Sequence, residues 1–201
     1  FDKILPEHFM PAFERGMSLH EAEIDAITSN KDEATFENTI LAYDNAGQML
    51  AQTELVFGML CAAETNDRMQ ALQEQAMPLL AAHRDKIRLD DKLFVRVKEV
   101  YDRRAALGLD AEQMRLLQKT YDSFVRAGAL LDAEQKARLK EINGQLSLTA
   151  VKFGNNILAE NNNFVLELKS DELDGLPAGI RDAAREKAQQ MGQGDKWVFT
   201  L

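Results

Sequence analysis

Apolar residues recur every three or four positions along most of the chain, which is the spacing of one face of an α-helix. Six stripes of this kind precede residue 160, and their first apolar members are Phe9, Phe36, Met69, Phe94, Met114 and Leu139. Short connections separate the stripes, so neighbouring helices are expected to pack antiparallel. The pattern predicts a mainly all-α fold, built as an antiparallel multi-helix array.

The second stripe has the most fully specified start. In ATFENTI, Thr35 is the best N-cap, because its hydroxyl can accept a hydrogen bond from the amide of Glu37 or Asn38. Asn38 can also reach back to the cap, as Glu or Gln does in a capping box. Glu37 places negative charge at the positive end of the helix dipole. We therefore predict an architectural role for this segment, in a helix that runs unbroken to about Ala63.

The later helices carry start and stop signals of their own. The residues predicted to cap them are Asn66 or Asp67, Asp90 or Asp91, Asp110 and Asp132. A glutamine follows three residues after both Asp110 and Asp132, which is the spacing of a capping box. Pro78 is expected to kink the third helix, and Gly108 is expected to end the fourth.

The pattern changes at the three consecutive asparagines 161–163, which are expected to end the sixth helix. Residues 164–168 alternate as a strand does, Pro177 begins another helix, and residues 197–201 form a second predicted strand. Because an isolated strand pair is marginal in water, we expect the sequence to stop inside a longer protein. The predicted domains are an N-terminal helical lobe, residues 1–160, and the start of a mixed central segment, residues 161–201.

The composition of the chain argues against some classes of function. The chain has 201 residues, 45% of them hydrophobic, and a formal net charge of −9. This acidic balance argues against a nucleic-acid-binding surface, which needs clustered Lys and Arg. The longest apolar run, Leu55 to Ala63, is far shorter than the roughly 20 residues that span a bilayer, so no membrane partner is expected. No signal peptide is visible, but the chain opens at Phe1 rather than Met, which leaves the compartment open.

The three histidines are the first candidates for chemistry. HEAEI at 20–24 begins like the zinc motif HExxH, but Ile24 stands where the second ligand belongs. We therefore expect His20 to border the buried stripe of its helix, and His83 to be a core histidine bonded to a carboxylate or a carbonyl. His8 follows Glu7, and a role in starting the first helix is favoured over acid–base chemistry.

The other reactive side chains form no recognisable motif. Cys61 is the only cysteine, so an intrachain disulfide is excluded, and a buried thiol is the default interpretation. The acidic pairs, such as Asp90 with Asp91, are typical of solvated faces or helix starts. We therefore predict no catalytic, cofactor-binding or metal-ligating residue in this chain.

Five sequence segments, in order, carry a resemblance to a known family. They are ILPEHFMPAFERGM (4–17), EIDAITSN (23–30), ATFENTILAYDNAG (34–47), YDSFVRAGALL (121–131) and KFGNNIL (152–158). Together they resemble the N-terminal region of the thimet oligopeptidase and peptidyl-dipeptidase Dcp family of zinc metallopeptidases, most closely its bacterial Dcp branch. Ala34 departs from the proline that the family commonly has at this position.

The resemblance implies an all-helical protein of two lobes around a deep channel, with zinc on the far lobe. Its HExxH and downstream Glu would lie toward the C-terminus, outside this chain, so no metal ligand or general base is carried over. The parent protein is then expected to be a monomeric, cytoplasmic or periplasmic peptidase of short peptides. Residues 1–160 would form a channel wall that restricts substrate size, and this piece alone would be inactive.

A second interpretation stays open from the residues themselves. The chain would then be a free-standing helical module that offers apolar grooves to partner helices and has no catalytic activity. An HExxH motif downstream of Leu201 would distinguish the first interpretation from the second.

Overall fold

A computed structural model describes residues 3–201 and is mainly helical, with one two-stranded sheet near the C-terminal end. The predicted all-α class is confirmed. The elements are α1 (Phe9–Ser29), a π-helical turn (Phe36–Leu41), α2 (Ala42–Asn45), α3 (Gln48–Ala63), α4 (Asp67–Arg88), α5 (Asp91–Asp102), α6 (Ala111–Arg126), α7 (Ala133–Asn163), β1 (Leu166–Leu168), α8 (Ala178–Gln190) and β2 (Trp197–Phe199). Short 3₁₀ turns occupy Pro6–His8, Arg104–Ala106 and Ser170–Glu172.

The predicted N-cap residues accept hydrogen bonds from backbone amides in the first turn of their helices. Asn66 accepts from the amide of Met69 at 3.1 Å, and Asp90 accepts from the amide of Leu93 at 2.8 Å. The two glutamine capping boxes also form, since Asp110 and Asp132 each accept from the amide three residues on, at 2.8 Å. These starts are local in sequence, which is why they could be predicted.

The predicted unbroken helix from Thr35 to Ala63 is wrong. α2 ends at Asn45, Ala46 is extended with ψ 152°, and Gly47 adopts φ +75° before α3 begins. A residue with positive φ cannot continue an α-helix, and glycine adopts this conformation at little cost. The second stripe is therefore divided between the π-helical turn, α2 and α3, and Phe36, Ile40 and Leu50 of this stripe are buried.

Two clusters of buried apolar side chains hold the first compact unit, which ends at Val151. Core A consists of Phe9, Phe13, Leu50, Phe57, Met69, Ala76 and Leu80. Core B consists of Ile24, Ile27, Ala34, Phe36, Ile40, Ile87, Leu93, Phe94, Val97, Val100, Leu117, Phe124 and Ala129. Aromatic contacts run through both cores, with Phe13 and Phe57 meeting edge to face at 5.3 Å between ring centroids. The stripes predicted for α1, α4, α5 and α6 supply most of these residues.

The predicted antiparallel packing of α6 against α7 is also wrong. α6 packs on α5 and on the π-helical turn, whereas α7 makes polar contacts with other helices near its start. Lys136 donates to the carboxylate of Asp91, and Asn143 donates to Asp85 at 2.9 Å. The predicted α7 stripe is consequently open to solvent in part, with Leu146 63% exposed.

One predicted boundary differs in detail. The fourth helix ends at Asp102, before Gly108, and a 3₁₀ turn lies between them. α7 ends at Asn163, within the three asparagines that were expected to end this helix. Pro78 lies inside the continuous helix α4, and the kink expected there stays a prediction.

The second compact unit, Lys152–Leu201, contains the strand pair. β1 and β2 are antiparallel, with Leu166 opposite Phe199 and Leu168 opposite Trp197. α8 packs on β2 and buries Ala188 and Val198. A single helix therefore covers a sheet too small to be stable alone.

Within residues 3–201, none of the helices combines the length and the apolar character that crossing a bilayer requires.

Candidate functional site

The ATFENTI segment forms a polar junction at the edge of core B. The amide of Asn38 donates to the Thr35 hydroxyl at 3.1 Å, and the Asn38 side-chain oxygen accepts from the Thr35 amide at 2.8 Å. The capping box predicted with asparagine is confirmed. Phe36 and Ile40 of the same segment are buried in core B.

Arg96 completes this junction and was not predicted. Its buried guanidinium donates to the backbone oxygens of Asn30 and Asp32, at 3.0 and 3.1 Å, and to the Asn38 side-chain oxygen at 3.1 Å. One planar cation thus joins α5 to the loop that follows α1 and to the cap of the π-helical turn. No local pattern indicates this role, because these partners lie far from Arg96 along the chain. The arrangement binds backbone and offers no nucleophile or base, so its role is architectural.

The second polar centre joins two of the histidines. His83 on α4 and His20 on α1 are 63 residues apart, yet Nε2 of His83 lies 3.0 Å from Nδ1 of His20. His83 is only 5% exposed, so the prediction of a buried histidine on this stripe is confirmed. Its partner is a second imidazole rather than a carbonyl, and its Nδ1 lies 3.5 Å from a carboxylate oxygen of Glu21.

The surroundings favour one arrangement of protons in this pair. A lone pair on Nδ1 of His83 would face the Glu21 carboxylate, so a proton on that nitrogen is favoured. Nε2 of His83 then accepts a hydrogen bond, which Nδ1–H of His20 donates. Burial lowers the pKa of both imidazoles below the ordinary histidine value of 6.5, so the pair is neutral at pH 7.

Gly47 packs directly against this pair. A Cβ atom at Gly47 would lie 2.9 Å from Nδ1 of His20, so a larger residue would press on the imidazole. The Gly47 amide donates to the carboxylate of Glu23 at 2.7 Å. We refer to His20, His83 and Gly47 as the histidine joint. The joint can take up protons, and the two ring nitrogens that face each other are engaged in their own hydrogen bond.

The remaining candidates lie apart from the histidine joint. Nδ1 of His8 accepts from the Leu5 amide at 3.2 Å, in agreement with a role at the start of α1. Glu7 pairs with Arg68 at 2.9 Å rather than with His8. Cys61 is half-buried, and burial raises the pKa of its thiol, which disfavours the reactive thiolate.

The metal implied by the family resemblance does not fit the residues described here. Among residues 3–201, no three His, Cys, Asp or Glu side chains come together in a group that holds a metal ion. A catalytic zinc site takes three protein ligands and one open position. Nε2 of His83 and Nδ1 of His20 bond to each other, so one ring nitrogen of each histidine is already engaged.

Several long apolar side chains on α7 are open to solvent. Ile142 and Leu146 are exposed in the first unit, and Phe153 and Ile157 are exposed in the second unit. Exposed apolar residues spaced along a helix are typical of surfaces that contact other polypeptide. The chain therefore carries apolar surface that its own described residues leave uncovered.

Comparison with known proteins aligns the chain with parts of proteins named as dipeptidyl carboxypeptidases and oligopeptidases. No established protein-family model matches it. The whole chain aligns with the dipeptidyl carboxypeptidase of Escherichia coli at 38% identity, and with that of Salmonella typhimurium at 36% identity. Oligopeptidase A of Escherichia coli aligns with 94% of the chain at 23% identity.

The chain is thus a homologue of the N-terminal region of bacterial dipeptidyl carboxypeptidases, and the predicted resemblance is confirmed. It spans about 30% of the length of the dipeptidyl carboxypeptidases that it matches.

Proposed function

We propose that this chain is the N-terminal helical lobe of a zinc-dependent peptidase that hydrolyses short peptides. The alignment of the whole chain with dipeptidyl carboxypeptidases carries this proposal, because similarity at 38% identity extends from end to end. The chain corresponds to a minority of its relatives' length, which leaves room for a catalytic segment elsewhere.

The lobe contributes shape rather than bond-making chemistry in this proposal. The polar side chains of its two centres, around Asn38 and around His83, form hydrogen bonds that join one helix or turn to another. We infer that the helices form one wall of a substrate channel and exclude large, folded substrates. The long helix expected from Thr35 is divided at Gly47, and the long helices within the first unit are α1, with 21 residues, and α4, with 22 residues.

The zinc ligands and the general base lie outside this chain in the proposal. Zinc, when bound there, would polarise the scissile carbonyl and activate a water molecule. Residues 3–201 hold no group suited to the metal, so the chain by itself is expected to bind zinc at no specific site. The 201-residue chain is likewise expected to cleave no peptide.

The test uses the complete protein encoded by the gene that contains this sequence. An HExxH motif is expected downstream of Leu201, and the purified protein is expected to release dipeptides from the C-terminus of short peptides. Removal of zinc by a chelator should abolish hydrolysis, and added zinc should restore it. Stoichiometric, tight zinc binding by residues 1–201 alone would contradict the proposal, as would hydrolysis that survives the chelator.

The exposed apolar residues of α7 favour a second candidate, in which the chain binds partner helices and catalyses nothing. The same experiment separates the two candidates. A gene that encodes no metal-binding motif, and a product that cleaves no peptide, would leave the binding module as the better account.

A further inference from the structure

The histidine joint lies where three elements pass from core A to core B. Along α1, His20 lies between Phe13 of core A and Ile24 of core B. Along α4, His83 lies between Leu80 of core A and Ile87 of core B. In both helices a histidine occupies the boundary between two apolar clusters.

The segment from the π-helical turn to α3 also passes from core B to core A beside the histidine pair. The π-helical turn contributes Ile40 to core B, and α3 contributes Leu50 to core A. Gly47 lies between them, at the point where the helix is broken by φ +75°. The close approach of Gly47 to the His20 ring shows that the break and the histidine pair belong to one layer.

We propose that the histidine joint is a pH-sensitive hinge between core A and core B. The two cores are separate apolar clusters, and each is rigid because its side chains are closely packed. The layer between them contains a polar pair and a break in the backbone. Relative movement of the cores is therefore concentrated in this layer, and the histidine pair restrains it.

The first proton leaves the pair intact. It binds Nε2 of His83 and gives an imidazolium, which the Glu21 carboxylate near Nδ1 favours. Nε2–H of His83 then donates to Nδ1 of His20, whose own proton moves to its other ring nitrogen. The 3.0 Å contact survives with its direction reversed.

The second proton breaks the contact. Both ring nitrogens that face each other then carry hydrogen, so neither can accept, and two positive charges lie side by side. The imidazoles must separate, and the His20 ring that shifts lies against the backbone break at Gly47. Acidification below the histidine range is therefore expected to loosen the hinge.

Charged groups of three helices surround the pair and affect how readily the two imidazoles take up protons. They are Glu21 and Glu23 on α1, Glu54 on α3, and Arg84 and Lys86 on α4. The carboxylates favour protonation and the two cations oppose it. Burial outweighs the carboxylates, since the pKa of both His20 and His83 is lowered. This hinge does not depend on the proposed peptidase function.

Amide hydrogen exchange of the complete protein, measured from about pH 7.5 to about pH 4 and corrected for intrinsic rates, tests the hinge. Protection of the amides of Gly47 to Ala51 is expected to fall several-fold on acidification, while that of Val97 and Val100 in core B is retained. Uniform loss of protection, or no loss at the break, would overturn the proposal.

A double variant tests whether the histidines cause the change. His20→Asn and His83→Gln together place amide groups near the two bonded nitrogens and remove both titrating groups. This variant is expected to keep protection at Gly47 constant across the same pH range. The matched control, His8→Gln, removes the histidine outside the joint and should behave as the wild type. An unchanged pH response in the double variant would refute the role of the pair.

Titration of the imidazoles in the wild-type protein, followed by NMR, decides the question even if the double variant does not fold. His20 and His83 are expected to titrate in two coupled steps below the ordinary value of 6.5. Independent titration of the two rings at or above that value would rule out the hinge.

Discussion

At the scale of single residues, this chain uses its most distinctive polar side chains to join helices. Asn38 caps the π-helical turn and also accepts from Arg96, so one amide serves both local and long-range structure. The cap could be predicted, because Thr35 and Asn38 are three residues apart. Arg96 and the pairing of His20 with His83 could not, because contacts over about 60 residues leave no pattern in a single sequence.

The Thr35 cap gives the first prediction at this scale. Thr35→Ala removes the acceptor for the Asn38 amide and is expected to lower the free energy of unfolding by about 1 kcal/mol. Denaturant unfolding of both proteins measures the difference. Thr35→Ser keeps the hydroxyl and should cost less than the alanine variant. Equal stability of wild type and Thr35→Ala would show that the cap contributes nothing.

At the scale of elements, the sequence predicted where several helices begin, but it did not predict how the helices pack against one another. The caps at Asn66, Asp90, Asp110 and Asp132 satisfy amides two or three residues away, so each is encoded locally. The break at Gly47 lies against His20, a residue of another helix, and this close approach has no signal in the sequence. The direction of α7 likewise depends on contacts remote in sequence. Apolar periodicity therefore identified the buried faces but not the partner of each face.

Two glycines of the same region test the break. Gly47→Ala is expected to destabilise the protein by about 1–2 kcal/mol or more, because φ is +75° and the new methyl would meet the His20 ring. Gly58→Ala is the matched control on α3, where a Cβ would meet no atom within 4 Å. It should stabilise the protein by about 0.5–1 kcal/mol. Thermal or denaturant unfolding that shows the same sign for both variants would contradict this account.

At the scale of the whole molecule, the described residues are mainly helical, and their two polar centres join helices. Its similarity to dipeptidyl carboxypeptidases covers the entire chain, while its described residues gather no metal-binding group. These two observations agree if the lobe shapes access to a catalytic site that other residues provide. The sequence could indicate this role only through resemblance, because a channel wall has no chemical motif of its own.

Exclusion of folded substrates is the central claim, and one measurement tests it most directly. The complete protein is given one peptide sequence in two forms, free in solution and within a stably folded carrier protein. An unfolded form of the carrier controls for access to the cleavage site. We predict rapid hydrolysis of the free peptide and of the unfolded carrier, and negligible hydrolysis of the folded carrier. Comparable hydrolysis of the folded carrier and the free peptide would contradict the account.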